Sequence, residues 1–362
     1  VAPPSYRFDL AIEEDLIEEV ARMVGYNNLP TTPPLAPITP KLQLESQRSP
    51  FAVRRMLAGL GYQETINFSF VEERWERELA GNADPIRLLN PIASQMSVMR
   101  SSLLGSLLQA LKFNTDRRAE RVRVFELGRV FLRDASVANT DTTVQGYHQP
   151  MRVAGLAYGG VDLLQWGRKE QAVDFFDVKG DVEALLAPLS ARFEPAEHPA
   201  MHPGRRARVC LGERVIGHVG ELHPRWRQAW ELPQAPVLFE LELDAVLQRP
   251  VPRFAPVPKH QMVERDLAVV VAEAVTHGAI MGAIRAALPT ELLRDAVLFD
   301  VFRPQQGKGV QVGSAGLELG EKSLAVRLTL GGHAPLTEAD IDAAVQAVLA
   351  QLKTQVGARL RG

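Results

Sequence analysis

Gly320-Glu321-Lys322-Ser323-Leu324-Ala325-Val326-Arg327-Leu328-Thr329-Leu330 reads as a strand, and the elements on either side of it decide the fold. Before it, residues 265–272 read as a strand, 277–288 as a helix and 293–302 as a second strand. After it come a helix over 337–352 and a strand over 354–360. The order β-α-β-β-α-β is the ferredoxin-like split βαβ pattern. Gly307, Gly309, Gly313, Gly316 and Gly320 are scattered through the long loop between the second and third strands. No Gly-Lys-Ser/Thr follows them, so they do not make a phosphate loop.

Working upstream, Pro250 to Pro258 carries four prolines and marks a linker. Ahead of it, residues 41–250 mix helices and strands. Helices are expected near 45–60, over an apolar stripe of Leu103, Leu104, Leu107, Leu108 and Leu111 capped by Ser101-Ser102, and near 176–186. Strands are expected over 63–71, 122–131, 152–159, 206–211, 214–221 and 237–243, with a polar loop over 134–150. The pattern predicts an α+β chain whose larger domain is an antiparallel sheet flanked by helices. A second proline-rich run, Pro30 to Pro40, separates this domain from an N-terminal piece. The expected division is 1–31, a linker over 32–40, 41–250, a linker over 251–255, and 256–362.

The N-terminal piece reads Phe8-Asp9-Leu10-Ala11-Ile12-Glu13-Glu14-Asp15-Leu16-Ile17-Glu18-Glu19-Val20-Ala21-Arg22-Met23-Val24-Gly25-Tyr26. Residues 5–10 suggest a strand and 13–24 a helix, with Gly25 at its C-terminus. Asp15, Glu18 and Glu19 fall at i, i+3 and i+4, one edge of a helix. With Asp9 folding back over them they would offer the hard oxygens that magnesium prefers. The plainer explanation is that carboxylates favour a helix's first turn.

Bulk properties bound the function. A length of 362 residues calls for two or three domains. A formal net charge of −2 gives no global attraction to nucleic acid, so RNA contact must be local. The single cysteine, Cys210, excludes an internal disulfide and fits a reducing cytosol. No apolar stretch approaches a membrane span. The start, without methionine, reads like the middle of a domain, as expected for a fragment of a longer chain. The eight histidines show no zinc spacing, although His198, His202, His218 and His223 are near in sequence.

Asp-(x)5-Asp-Leu-Ile-Glu-Glu-Val-Ala-Arg followed by Gly-Tyr-(x)3-Pro closely resembles the β subunit of bacterial phenylalanine–tRNA synthetase. The resemblance continues through Leu89-Asn90-Pro91, Met99 to Leu104, Val124 to Phe131, Phe176 to Gly180 and Gly220 to Pro224. In the terminal domain it rests on Lys259, Arg265-Asp266-Leu267, Leu298 to Arg303 and Lys322 to Leu328. It implies a magnesium site of Asp9, Asp15, Glu18 and Glu19 completed by the α subunit. It implies a class II synthetase-like middle domain that is not catalytic, and a ferredoxin-fold anticodon-binding domain. The whole enzyme would use ATP to join phenylalanine to its tRNA, as two α and two β subunits in the cytoplasm.

The loss of catalysis has its own basis. Class II chemistry uses an arginine after the aromatic of Phe/Tyr-Arg-x-Asp/Glu, where charge builds on the α-phosphate. In Phe131-Leu132-Arg133-Asp134 that position is Leu132. The glycine-rich element carrying a second arginine is also missing, for Val237 to Leu243 stands in its place. No catalytic residue is therefore expected. A stand-alone RNA-binding or regulatory paralogue is the alternative, and an autonomous ligase is disfavoured. In the terminal domain, 12 Lys and Arg against 11 Asp and Glu over residues 252–362 leave 12 − 11 = +1. Base stacking must then supply RNA affinity. Phe302, ending a central strand, is the expected platform, with Asp300 on the same face and Ser323 on the adjacent strand. The family often has tyrosine at Phe302. His260-Gln261 and a longer loop after Arg303 are departures from its pattern.

Overall fold

The computed structural model describes residues 2–38, 40, 42–254, 257, 259–304, 317–318, 320–332 and 334–361. The four loop glycines from Gly307 to Gly316 lie outside the described residues. The chain divides into two units, Val1–Leu44 and Glu45–Gly362.

The first unit holds one α-helix, α1 (Glu13–Val24), which ends at Gly25 with φ 90°. Residues 5–10 are turns instead of the expected strand. Arg7 N–H donates to Pro4 O and Leu10 N–H to Arg7 O, so local bonds take the place of a ladder.

In the second unit, α2 (Pro50–Gly59) starts later than expected because Ser49 caps it and Pro50 supplies its first residue. The predicted 63–71 strand is two short ones, β1 (Gln63–Glu64) and β2 (Phe70–Val71), in different sheets. The chain continues through β3 (Val98–Met99), α3 (Leu104–Thr115), β4 (Val122–Arg129), β5 (Leu132–Arg133), β6 (Tyr147–His148), β7 (Met151–Tyr158), α4 (Phe175–Leu186), β8 (Arg192–Glu194), β9 (Met201–Leu211), β10 (Arg214–Leu222), α5 (Pro224–Ala229), β11 (Val237–Glu242) and α6 (Leu243–Leu247). The large sheet runs β1-β4-β7-β11-β10-β9-β8, antiparallel except where β1 joins β4. Alternation along the strands builds two cores. Phe125, Val153 and Phe239 face α2 and α4 on one side. Val124, Leu156 and Leu238 face the leucine stripe of α3 on the other.

The last part comprises β12 (Val263–Ala272), α7 (His277–Ala287), β13 (Leu293–Phe302), β14 (Glu321–Leu330), α8 (Glu338–Val356) and β15 (Arg359–Leu360). Its antiparallel sheet has the order β13-β14-β12-β15, the arrangement the split βαβ pattern predicts. Leu267, Val269, Leu324, Val326 and Leu328 turn inward against Ile280, Ile284, Val348 and Leu352 of the two helices. The fourth strand is shorter than expected because α8 runs on to Val356 before Gly357, at φ 63°, ends it. β13 is an edge strand, not a central one, because β14 and β12 take the middle of the sheet.

Candidate nucleic-acid interface

The face of the small sheet turned away from its helices carries the three residues singled out for RNA. Phe302 pairs with Ser323 and Asp300 with Ala325, so both β13 side chains share the outward face. Asp300 is exposed and Phe302 half-buried. Ser323 is buried, and Arg361 Nη1 lies 3.4 Å from its Oγ. The same guanidinium stands 5.4 Å from the centre of the Phe302 ring. Phe302, Ser323 and Arg361 thus form one cluster, with Asp300 one register step away. Arg361 was invisible to sequence reasoning because it arrives from the C-terminal strand.

The pairing slips between Leu298 and Asp300. This bulge sets Phe299 and Asp300 together against Ala325, and Phe299 is 53% exposed on the outward side. Arg327 of β14 stands 5.5 Å from the Phe299 ring. Two hydrogen bonds to Asp266, of 2.8 and 2.9 Å, fix the plane of its guanidinium, and they hold its pKa far above the ordinary arginine value.

The acidic segment is not gathered as expected. Arg7 lies between its members: its Nη2 is 2.9 Å from Asp9 Oδ2 and 2.6 Å from Glu19 Oε1. Arg22 takes the other oxygen of Glu19 at 2.5 Å. Hydrogen bonds from Arg7, then Arg22, pull Glu19 down to about 2, and Arg7 lowers Asp9 as well. Asp15 Oδ2 accepts the backbone N–H of Ala11 and Ile12, the bonds that lower its pKa, so it serves the helix N-terminus. Glu18 is exposed. As arranged, the set does not fit a magnesium ion. Three of its four carboxylates are engaged by guanidinium or backbone donors, and no group of three or more ligand residues that could hold a metal is present among the described residues.

Ahead of α3, three buried carboxylates grip Arg100, Ser101 and Leu103. Glu126 Oε1 takes Arg100 Nη2 at 2.7 Å, Glu76 takes the N–H of Ser101 at 2.8 Å, and Glu240 takes that of Leu103 at 2.6 Å. The expected cap, Ser102 Oγ, adds a bond to Leu104 N–H, but Glu240 is the principal acceptor. Arg152 Nη1 closes on Glu240 at 2.8 Å. Leu132 lies on β5, and α6, following β11, carries no arginine. Cys210 is buried in β9. His198, between β8 and β9, and His218 of β10 have their rings 5.0 Å apart. His198, His202 and His223 each spend the Nδ1 lone pair on a backbone N–H. Neutral imidazoles so bonded offer a metal no second lone pair.

The model of the phenylalanyl tRNA synthetase beta chain CLM domain matches residues 29–243. The chain belongs to the phenylalanyl-tRNA synthetase β chain family. The ferredoxin-fold anticodon binding domain matches residues 258–361, and the tRNA synthetase B5 domain matches residues 1–26. Curated relatives named phenylalanine–tRNA ligase beta subunit include those of Cupriavidus pinatubonensis, 52% identical, Burkholderia lata, 51%, and Chromobacterium violaceum, 48%, each over the whole of this chain. The chain spans 44%, 44% and 43% of their lengths. A pyrrolysyl tRNA synthetase structure from Desulfitobacterium hafniense aligns at 10% identity and TM-score 0.38, over 54% of this chain and 64% of that one, too distant to carry an argument. No helix among the described residues is long and apolar enough to cross a membrane.

Proposed function

We propose that this chain is the part of a phenylalanine–tRNA ligase β subunit that scaffolds the enzyme and binds tRNA, while the α subunit performs the chemistry. In the reaction, ATP, phenylalanine and tRNA(Phe) yield AMP, diphosphate and phenylalanyl-tRNA. The observation that carries the tRNA role is the Phe302–Asp300 face on a ferredoxin-type sheet. An aromatic ring can stack an unpaired base, and a carboxylate accepts hydrogen bonds from a guanine edge. Leu132 and an arginine-free α6 support a middle domain without catalytic residues. The reading includes the five-part division given above, a class II-like ancestry for residues 41–250, a cytoplasmic setting and a tetramer of two α and two β subunits. A magnesium ion at Asp9, Asp15, Glu18 and Glu19, completed by α, would require Arg7 to withdraw from Asp9 and Glu19.

Two outcomes test this reading. In the α–β complex, Phe302→Ala should raise the KM for tRNA(Phe) roughly 5- to 150-fold, the range for losing one stacked base. Asp300→Ala should act in the same direction, with adenylate formation intact in both. Unchanged tRNA kinetics in both variants would remove the anticodon role from these residues. At the other end, Glu18→Gln with Glu19→Gln should weaken association with α by about tenfold or more, the order expected for charges lost from an interface. The helical circular dichroism should stay unaltered. Undiminished co-purification of α at low concentration would reject the acidic edge as a partner surface.

A further inference from the structure

We infer that Phe299 and Arg327 form a second nucleobase subsite, beside the one at Phe302, so that the sheet holds two unpaired bases of one strand. The inference rests on the tRNA-binding reading and extends it to residues outside the Phe302 cluster.

Three observations carry it. The bulge at Phe299–Asp300 turns both side chains to the outward face, which regular alternation would not do. Phe299 is 53% exposed on the sheet surface, next to Leu298, which packs against the core. Arg327 faces the ring at 5.5 Å, and its plane is fixed by the two-bond contact with Asp266 and a longer one to Glu264 Oε2 at 3.3 Å. With its guanidinium carbon over the phenyl ring, Arg327 adds a second planar group on which a base can stack. The same pairing of ring and guanidinium recurs at Phe302 and Arg361. Asp300 lies between the two rings in sequence and shares their face.

The ligand class follows from the charges. Glu264, Asp266 and Asp300 accompany Arg327 here, so the face does not attract phosphate. It suits the flat, weakly polar bases of an unpaired loop, with the Asp300 carboxylate to accept from amino and imino groups. Phe299 and Phe302 are three residues apart on a strand, roughly 10 Å at 3.3 Å per residue. That separation places two bases on separate rings.

The test uses the assembled α–β enzyme with tRNA(Phe) and three variants. Phe299→Leu keeps an apolar side chain but removes the ring. Arg327→Lys keeps the charge but removes the plane. Phe302→Ala reports the first subsite independently. Phe299→Leu is expected to raise the tRNA KM roughly 5- to 150-fold. Arg327→Lys should raise it less, and neither should alter adenylate formation or the melting temperature. The salt dependence of tRNA binding should keep its slope, since no phosphate contact is lost. Combined with Phe302→Ala, the effect of Phe299→Leu should multiply, as for two separate bases. Wild-type tRNA kinetics in Phe299→Leu, while Phe302→Ala is impaired, would overturn the second subsite and leave the first reading standing. A lowered melting temperature that accounts for the loss would overturn it too, because the ring would then be a packing element. Unaltered kinetics in all three variants would defeat both readings.

Discussion

Removing either partner of the Arg100–Glu126 pair is expected to destabilise the larger sheet domain by about 3–5 kcal/mol. The side chains are 3% and 5% exposed, and their atoms approach to 2.7 Å. Arg100 also donates from Nε to Arg129 O, and Asn67 Nδ2 donates to Glu126 at 2.8 Å. Arg100→Met leaves a buried carboxylate without its cation, and Glu126→Gln leaves a buried guanidinium without its anion. Replacing both, Arg100→Met with Glu126→Leu, should recover much of the loss, because the penalty comes from the orphaned charge. Gly128→Ala attacks the same pair by volume, since a Cβ there would strike Arg100 Nη2 and Glu126 Oε1. Urea unfolding followed by tryptophan fluorescence reports this domain, for all four tryptophans lie within residues 75–230. Single variants losing under about 1 kcal/mol would show that the pair is solvated or replaced.

Acidification is expected to weaken the same domain well above the carboxylate range. Burial, then the charges of His218, Arg206 and Arg152, push His198 down to about 4. Burial likewise lowers His218, against the pull of Glu240 and with the help of Arg152 and Arg208. The folded chain therefore keeps His198 neutral while the unfolded chain takes up a proton near the ordinary 6.5. Stability contributed by this residue is present above 6.5 and is lost as pH falls toward 4. The drop amounts to about 3 kcal/mol across the window, at 1.36 kcal/mol per unit. Glu19 acts in a separate window, its contribution fading only as pH falls from the ordinary 4.5 toward about 2. Urea midpoints at pH 7, 5.5 and 4.5 would trace the fall. His198→Asn, which keeps an acceptor for the Ala200 N–H, should flatten it. A wild-type midpoint unchanged over that span would reject the histidine origin.

Much of the fold was legible in the residues because period and punctuation agree there. The stripe Leu103 to Leu111 folds as α3, and the βαββαβ order gives the sheet its strand order. The misreadings have local causes. Residues 5–10 have strand composition but bond within their own turns. Residues 63–71 alternate, yet the segment serves two sheets. At the candidate interface, Phe302 and Asp300 were readable because they stand two apart on one strand. Phe299 was not, since counting in twos back from Phe302 and Asp300 puts it on the core side, and the register shift between Leu298 and Asp300 breaks that count. Arg7 stands two residues before Asp9, just ahead of the acidic stretch. Spacing arguments that count carboxylates alone overlook the cation that binds them.

The bulge in β13 has another consequence. Among the described residues no strand pairs with the outer edge of β13, whose run Val297-Leu298-Phe299-Asp300-Val301-Phe302 carries one charge in six residues. A regular strand of that composition would be a template for adding a foreign strand. The irregular register twists the edge and breaks its row of donors and acceptors, while Asp300 sets a charge in the middle of the apolar run. The distortion that brings the rings outward thus also keeps this edge from recruiting copies of itself, and the exposure of Phe299 is tolerable in a crowded cell because the strand carrying it is not straight.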